Sequence, residues 1–173
     1  MQRAPFAGCL VLLVALTAAR AVAAPCTPAV RSALDFWAGD WTVADTRTHE
    51  RAGSNRLERV AKGYAFIERW TGAQGDEGTS LFYLDPRACT WRQTWVTDRP
   101  ELPGGLKHKE LVAISPDGTV RFQGAYPGRR FPFVLDRTTL TPRRDGTLRQ
   151  VIEVSGDGGR TWHAGFDAVY TRR

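Results

Sequence analysis

The 173-residue chain is poor in the residues that most often carry chemistry. It has three histidines, three cysteines and one methionine, and lysine occurs only as Lys62, Lys107 and Lys109. No C-x-x-C pair occurs, so neither a dithiol redox motif nor a zinc site is indicated. His49, His108 and His163 lie on separate segments and form no H-x-H or H-E-x-x-H pattern. There is no G-x-S-x-G elbow, and no phosphate-cradling glycine loop precedes a helix. Glu68 could be paired on paper with Glu110 or Asp85 as an acid–base couple, but nothing in the sequence sets their separation. No catalytic residue, metal ligand set or resident cofactor follows from these patterns. Nucleic-acid motifs are missing too. The formal charge of +6 comes from scattered arginines with acidic residues among them, which reads as a solvated surface. No repeat of roughly 40 residues recurs, which excludes a propeller.

The start of the chain has a distinct composition. Arg3 precedes an uncharged apolar run from about Phe6 to Ala19, followed by Arg20 and Ala21-Val22-Ala23-Ala24. That order of regions marks residues 1–23 as a secretory signal, with cleavage after Ala23. The run is shorter than the ~20 residues a membrane-spanning helix needs. The expected product is a single domain, 24–173, periplasmic or secreted, with no stable membrane insertion. Its two cysteines, Cys26 and Cys89, are most simply one disulfide in an oxidising compartment, with two buried thiols as the alternative.

After one short helical stretch, Pro28 to Phe36, the chain is strands and turns. Gly, Pro and Asp-Gly signals separate β-rich runs near 41–47, 55–61, 64–71, 79–84, 90–97, 107–114, 119–125, 132–141, 147–154 and 162–171. Short consecutive connections favour an antiparallel meander. Ten meandering strands without covering helices leave exposed edges unless the sheet closes. The expected fold is all-β, a single up-and-down barrel of about ten strands, with a sandwich as the second choice.

Residues 155–162 read Ser-Gly-Asp-Gly-Gly-Arg-Thr-Trp, which matches the Asp-box, S-x-D-x-G-x-T-W, of sialidases and related propellers. One copy in this length cannot build a propeller. Its expected role is local: Asp157 accepts backbone N–H groups within the turn, Gly158 and Gly159 supply positive φ, Ser155 and Thr161 sit at the strand ends, and Trp162 folds under the hairpin.

Phe36-Trp37-Ala38-Gly39-Asp40-Trp41 follows the short helix and opens the first strand. The G-x-W at Gly39 and Trp41 resembles the calycins, which include lipocalins and fatty-acid-binding proteins. In that group the Trp closes one barrel end under a cation from the last strand. The resemblance gives that part to Arg172 or Arg173. More of the chain is similar to a group of bacterial exported lipocalin-like barrels. The shared marks are Leu34 to Trp41, Glu68-Arg69-Trp70-Thr71-Gly72, Gly78 to Asp85 (with Leu84 at the group's tyrosine position), Trp91-Arg92-Gln93-Thr94-Trp95-Val96, the Asp-box, and Phe166-Asp167-Ala168-Val169-Tyr170. This resemblance implies a barrel and no particular activity. The nitrobindins, also ten-stranded calycin-like barrels, hold haem through a histidine on the last strand. His163 begins the last strand here, so a haem-binding barrel is one alternative.

Alternation places Phe66, Glu68 and Trp70 on one face of their strand, and Trp91, Gln93 and Trp95 on one face of theirs. Ser80 and Phe82 share a face between them, and Leu148, Gln150, Ile152 and Val154 align near the end. Turned inward, these faces give a small-molecule pocket with aromatic walls and a few polar groups. Glu68, Trp70, Phe82, Gln93 and Trp95 are the candidate ligand-binding residues. The competing expectation is a lumen filled by side chains, with Glu68 paired to Arg149 or Arg137 and function on the outer surface, through contacts with a protein or envelope component the sequence does not identify.

Overall fold

In a computed structural model that describes residues 26–128, 130 and 132–173, the chain forms one closed antiparallel barrel of ten strands. The signal-sequence expectation for residues 1–23 lies outside the described residues. The strands are β1 Gly39–Asp45, β2 Arg51–Val60, β3 Ala65–Gly72, β4 Glu77–Asp85, β5 Thr90–Thr97, β6 Leu106–Ile114, β7 Val120–Tyr126, β8 Val134–Pro142, β9 Leu148–Ser155 and β10 His163–Arg172. Each pairs with its neighbours in sequence, and β10 pairs back onto β1 from Trp41↔Arg172 to Asp45↔Ala168. Closure removes both sheet edges, as the meander pattern requires.

The helical segment is shorter than its sequence suggested. Only α1, Pro28–Arg31, is α-helical; Thr27 caps it, and Asp35–Trp37 form a separate 3-10 turn. The break lets Leu34 and Trp37 enter the barrel end, both almost fully buried. Trp37 meets Phe82 edge-on at 5.3 Å, and Phe82 meets Phe122 at 5.5 Å. Phe66, Trp91, Leu57, Leu84, Val120, Leu140 and Leu148 complete a packed core in this half of the lumen.

Polar contacts fix the plug in place. Trp91 Nε1 donates to Val30 O at 2.7 Å, and Trp41 Nε1 donates to Trp37 O at 2.9 Å. Arg172 donates to Ala38 O and Phe36 O at 3.0 and 3.1 Å, and its guanidinium lies 4.4 Å from the Trp41 ring centroid. A cation over an indole face adds about 0.5–2 kcal/mol. Gly39, at φ +130°, is the passage for that guanidinium, since a Cβ there would sit 2.6 Å from Arg172 Nη1.

Cys26 and Cys89 are bridged, with Cα atoms 5.1 Å apart and a sequence separation of 63. The bridge ties the segment leading into the plug to the β4–β5 turn at the same barrel end. In the chain-entropy description a loop of this size stabilises by roughly 4 kcal/mol. Replacing both cysteines with serine is therefore expected to lower the urea-unfolding free energy by about 2–4 kcal/mol. An unchanged unfolding midpoint would show that the plug holds without the bridge.

Candidate functional site

Above the core the lumen is not filled. A cavity of about 310 Å³ opens at the end opposite the plug. Its wall is Trp70, Trp95, Ile152, Phe166 and Tyr170, and its polar lining is Glu68, Asp76, Gln93, Lys107, Lys109, Thr138 and Gln150. Strand direction sorts these by depth. Trp70, Trp95, Lys107, Ile152 and Phe166 face inward near the mouth, Glu68, Gln93, Lys109 and Gln150 lie two residues deeper on β3, β5, β6 and β9, and Thr138 joins them from β8.

The structure thus brings together four of the five candidate ligand residues: Glu68, Trp70, Gln93 and Trp95. The fifth, Phe82, belongs to the packed layer below, between Trp37 and Phe122. It faces inward as its alternation requires, but on β4 it lies two residues nearer the plug than Ser80. The two indoles need room beside the strands. At Gly78 a Cβ would come 2.1 Å from Trp95 Cη2, so that glycine is the bed on which the Trp95 ring lies. Trp70 meets Phe166 edge-on at 5.9 Å and donates from Nε1 to Asp76 Oδ2 at 3.3 Å.

Glu68 has no arginine partner, contrary to the filled-core expectation. Arg149 pairs with Asp167, and Arg137 pairs with Glu153. Glu68 is 4% exposed and accepts from Asn55 Nδ2 at 2.8 Å. Burial raises its carboxyl above the usual range; bonds from Ser80 and Asn55 and the charge of Lys109 pull it back only in part. Ser80 Oγ in turn accepts from Gln93 Nε2 at 2.9 Å. On the opposite wall, Tyr170 OH donates to Gln150 Oε1, and burial holds the phenol well above its ordinary value.

The sequence reading missed the strongest charge cluster. Lys109 Nζ donates to Asp136 Oδ1 and, at 2.6 Å, to Thr138 Oγ1, while Lys107 Nζ lies 2.5 Å from Asp136 Oδ2. Lys109 and Asp136 sit on β6 and β8, with β7 between them. Gly124 is the β7 residue in register with both, and it puts no side chain in the way. A Cβ at Gly124 would lie 1.9 Å from His108 O, so the strand itself passes too close for any other residue. Burial lowers the Lys109 ammonium to about 8; Asp136 opposes the shift and Lys107 adds to it. One signal was available: Lys107-x-Lys109 puts two of the chain's three lysines on one face of a strand.

The Asp-box turn caps the β9–β10 hairpin at the open end. Asp157 Oδ1 accepts from Arg160 N at 3.0 Å and Thr161 N at 2.9 Å, and Asp157 Oδ2 accepts from Thr161 Oγ1 at 2.7 Å. Ser155 Oγ donates to Asp157 Oδ1 and accepts from Gly159 N, both at 2.8 Å. These bonds hold the Asp157 carboxyl far below the usual range. Gly158 and Gly159 have φ of 74° and 89°. Trp162 Nε1 donates to Gly159 O at 3.0 Å, and the Arg137 guanidinium lies 4.0 Å from the Trp162 ring centroid. All of these bonds are internal to the hairpin or to its neighbour β8.

None of the three histidines lines the cavity, and His163 is exposed at the start of β10. Among the described residues no group of three or more His, Cys, Asp or Glu side chains could hold a metal ion. No helix among them is long and apolar enough to cross a membrane.

No protein-family model matches the chain. Among curated proteins it is similar to a probable inorganic carbon transporter subunit, DabA 1, of Bradyrhizobium sp. (strain ORS 278). The two are 36% identical over 84 residues, which is 46% of this chain and 10% of that protein. The chain thus spans a small fraction of that relative's length.

Asp136 is the counter-charge on which two ammonium groups depend. Removing one member of a buried ion pair leaves an uncompensated charge and costs about 3–5 kcal/mol. Asp136→Asn should therefore lose about that much stability at pH 7. Lys109 has a folded pKa below its unfolded value of 10.5, so its contribution is present above 10.5 and is lost as pH falls through about 8. Without Asp136 the folded pKa drops further, so the variant's deficit should shrink as pH rises through 8. Urea unfolding at pH 6 and pH 9 checks both; an equal deficit at the two pH values would contradict the assignment.

Proposed function

We propose that the protein binds a small amphipathic molecule in the open half of its barrel. The observation that carries this is the cavity of about 310 Å³ with two indoles and a phenyl ring near the mouth and hydrogen-bonding groups at its base. Ligand sites of about 300–1,000 Å³ have this make-up, apolar walls with a few placed polar groups. The volume lies at the small end of that range, which favours a ligand of one or two rings or a short alkyl chain. An exported setting is supported by the Cys26–Cys89 bridge, since such bonds persist in oxidising compartments, and by the leader-like composition of residues 1–23. The calycin-like marks around Gly39, Trp41 and Arg172 fit the same reading.

A second reading, action through surface contacts, is favoured by the outer face of β4 to β6. Leu81, Val96, Leu106 and Val112 are each exposed there. Against it, the lumen is filled in only one half.

Native mass spectrometry of the protein purified from its producing cells tests the first reading. The expected result is a retained small molecule that is lost in Trp95→Ala and in Ile152→Trp, one variant removing a wall and the other filling the space. The bare polypeptide mass in each of the three, with no binding of small aromatic probes, would overturn it.

A further inference from the structure

The cavity is arranged with its polar end deepest. A ligand that enters with its apolar end first would bury hydrocarbon against Glu68, Gln93, Lys109, Thr138 and Gln150, and would leave their polar groups without water or partners. The aromatic wall is near the mouth. The ligand therefore goes in head first, with its apolar body between Trp70 and Trp95.

The kind of head follows from a count of donors and charges. Lys109 has three N–H donors and uses two, on Asp136 and Thr138. Gln93 uses one amide N–H on Ser80, leaving one. Gln150 spends its oxygen on the Tyr170 hydroxyl, leaving its amide NH₂ for a ligand. The base thus offers mainly donors, which suits a head that only accepts. The charges agree. Asp136 divides its two oxygens between two ammonium groups, Lys107 and Lys109. Of the two carboxyls lining the cavity, Glu68 is buried and accepts from Asn55, and burial raises its carboxyl above the usual range. Asp76 is exposed and bonded to Trp70. The two ammonium groups, Lys109 deeper and Lys107 nearer the mouth, are thus the charges set to meet an anionic head beside the free amide N–H groups.

Resting on the binding function above, we propose that the ligand is an amphipathic monoanion, an aryl or short alkyl carboxylate, whose head group is held by Lys109, Lys107 and the Gln93 and Gln150 amides. A carboxylate presents two oxygens and no donor, and a charge-assisted bond to an ammonium is about twice as strong as a neutral one.

The test uses one ring system with three heads: 2-naphthoate, 2-naphthylmethanol and 2-naphthylmethylamine. Each is titrated into the full chain after export, followed by tryptophan fluorescence and calorimetry. 2-Naphthoate is expected to bind at least roughly tenfold more tightly than the alcohol, and the amine more weakly than either. In Lys109→Gln, Asp136 keeps Lys107 as its partner, and the naphthoate preference over the alcohol should fall to within roughly threefold. Lys107→Gln, nearer solvent, is the second variant should the first not fold, and it should show a smaller loss of the same sign. Equal affinity for the naphthoate and the alcohol in the parent protein would overturn the anion assignment and leave the binding cavity standing. A preference untouched in either folded variant would also overturn it. No binding of any of the three would overturn the anion assignment and the binding function together.

Discussion

Closing ten strands into a barrel encloses more space than one layer of side chains per strand can fill, and the disposal of that space governs the rest of the molecule. One half is filled from outside the sheet. Residues 33–41 leave α1, turn, and send Leu34 and Trp37 into the lumen, where they complete a core with Phe66, Phe82, Trp91 and Phe122. The disulfide, the Trp91–Val30 bond and the Arg172 guanidinium all hold that plug and cluster at the same end. Among the described residues no equivalent segment enters the other half, and the side chains there line a cavity.

The polar groups at the boundary between the two halves are costly to bury unless satisfied. Most are satisfied by short chains of bonds, Gln93 to Ser80 beside Glu68 on one wall and Tyr170 to Gln150 on the other. The Lys107–Asp136–Lys109 cluster is a heavier commitment, because a buried ion pair is seldom the most stable way to fill a position. On the proposed binding function, the place of Lys107 and Lys109 in the lining of an open, indole-walled space makes the cluster recognition chemistry. The glycine at position 124 serves the same arrangement, since it lets the two sides of the cluster meet across β7.

Much of the fold was legible because alternation and turn chemistry agree throughout the chain. The strand expected near 79–84 runs Glu77–Asp85, and those near 90–97 and 107–114 differ from the observed bounds by no more than one residue. β2 began earlier than expected, at Arg51, because Gly53 read as a turn signal. It is a strand residue in close contact with the Trp70 ring, 2.7 Å from where its Cβ would be. Glu68, Trp70, Gln93 and Trp95 could be placed on the wall because each shares a face with a neighbour two residues away. Phe82 was misplaced because alternation gives the face a residue takes but not its depth along the barrel. Asp136 and Thr138 were missed because their meaning depends on Lys109, two strands away, and no local pattern links β6 to β8.

The central claim is that one half of the lumen is core and the other is a binding space. Equilibrium urea unfolding of Phe82→Ala and Trp95→Ala, each with and without a saturating bound ligand, tests it most directly. Phe82→Ala should lose about 3–5 kcal/mol, the cost of emptying a packed aromatic site. Trp95→Ala should lose less than half as much, and it alone should forfeit the added stability that a ligand confers on the parent protein. Equal losses in the two variants, with the ligand's effect intact in Trp95→Ala, would show that the lumen is a single core and that the indoles near the mouth serve only to pack it.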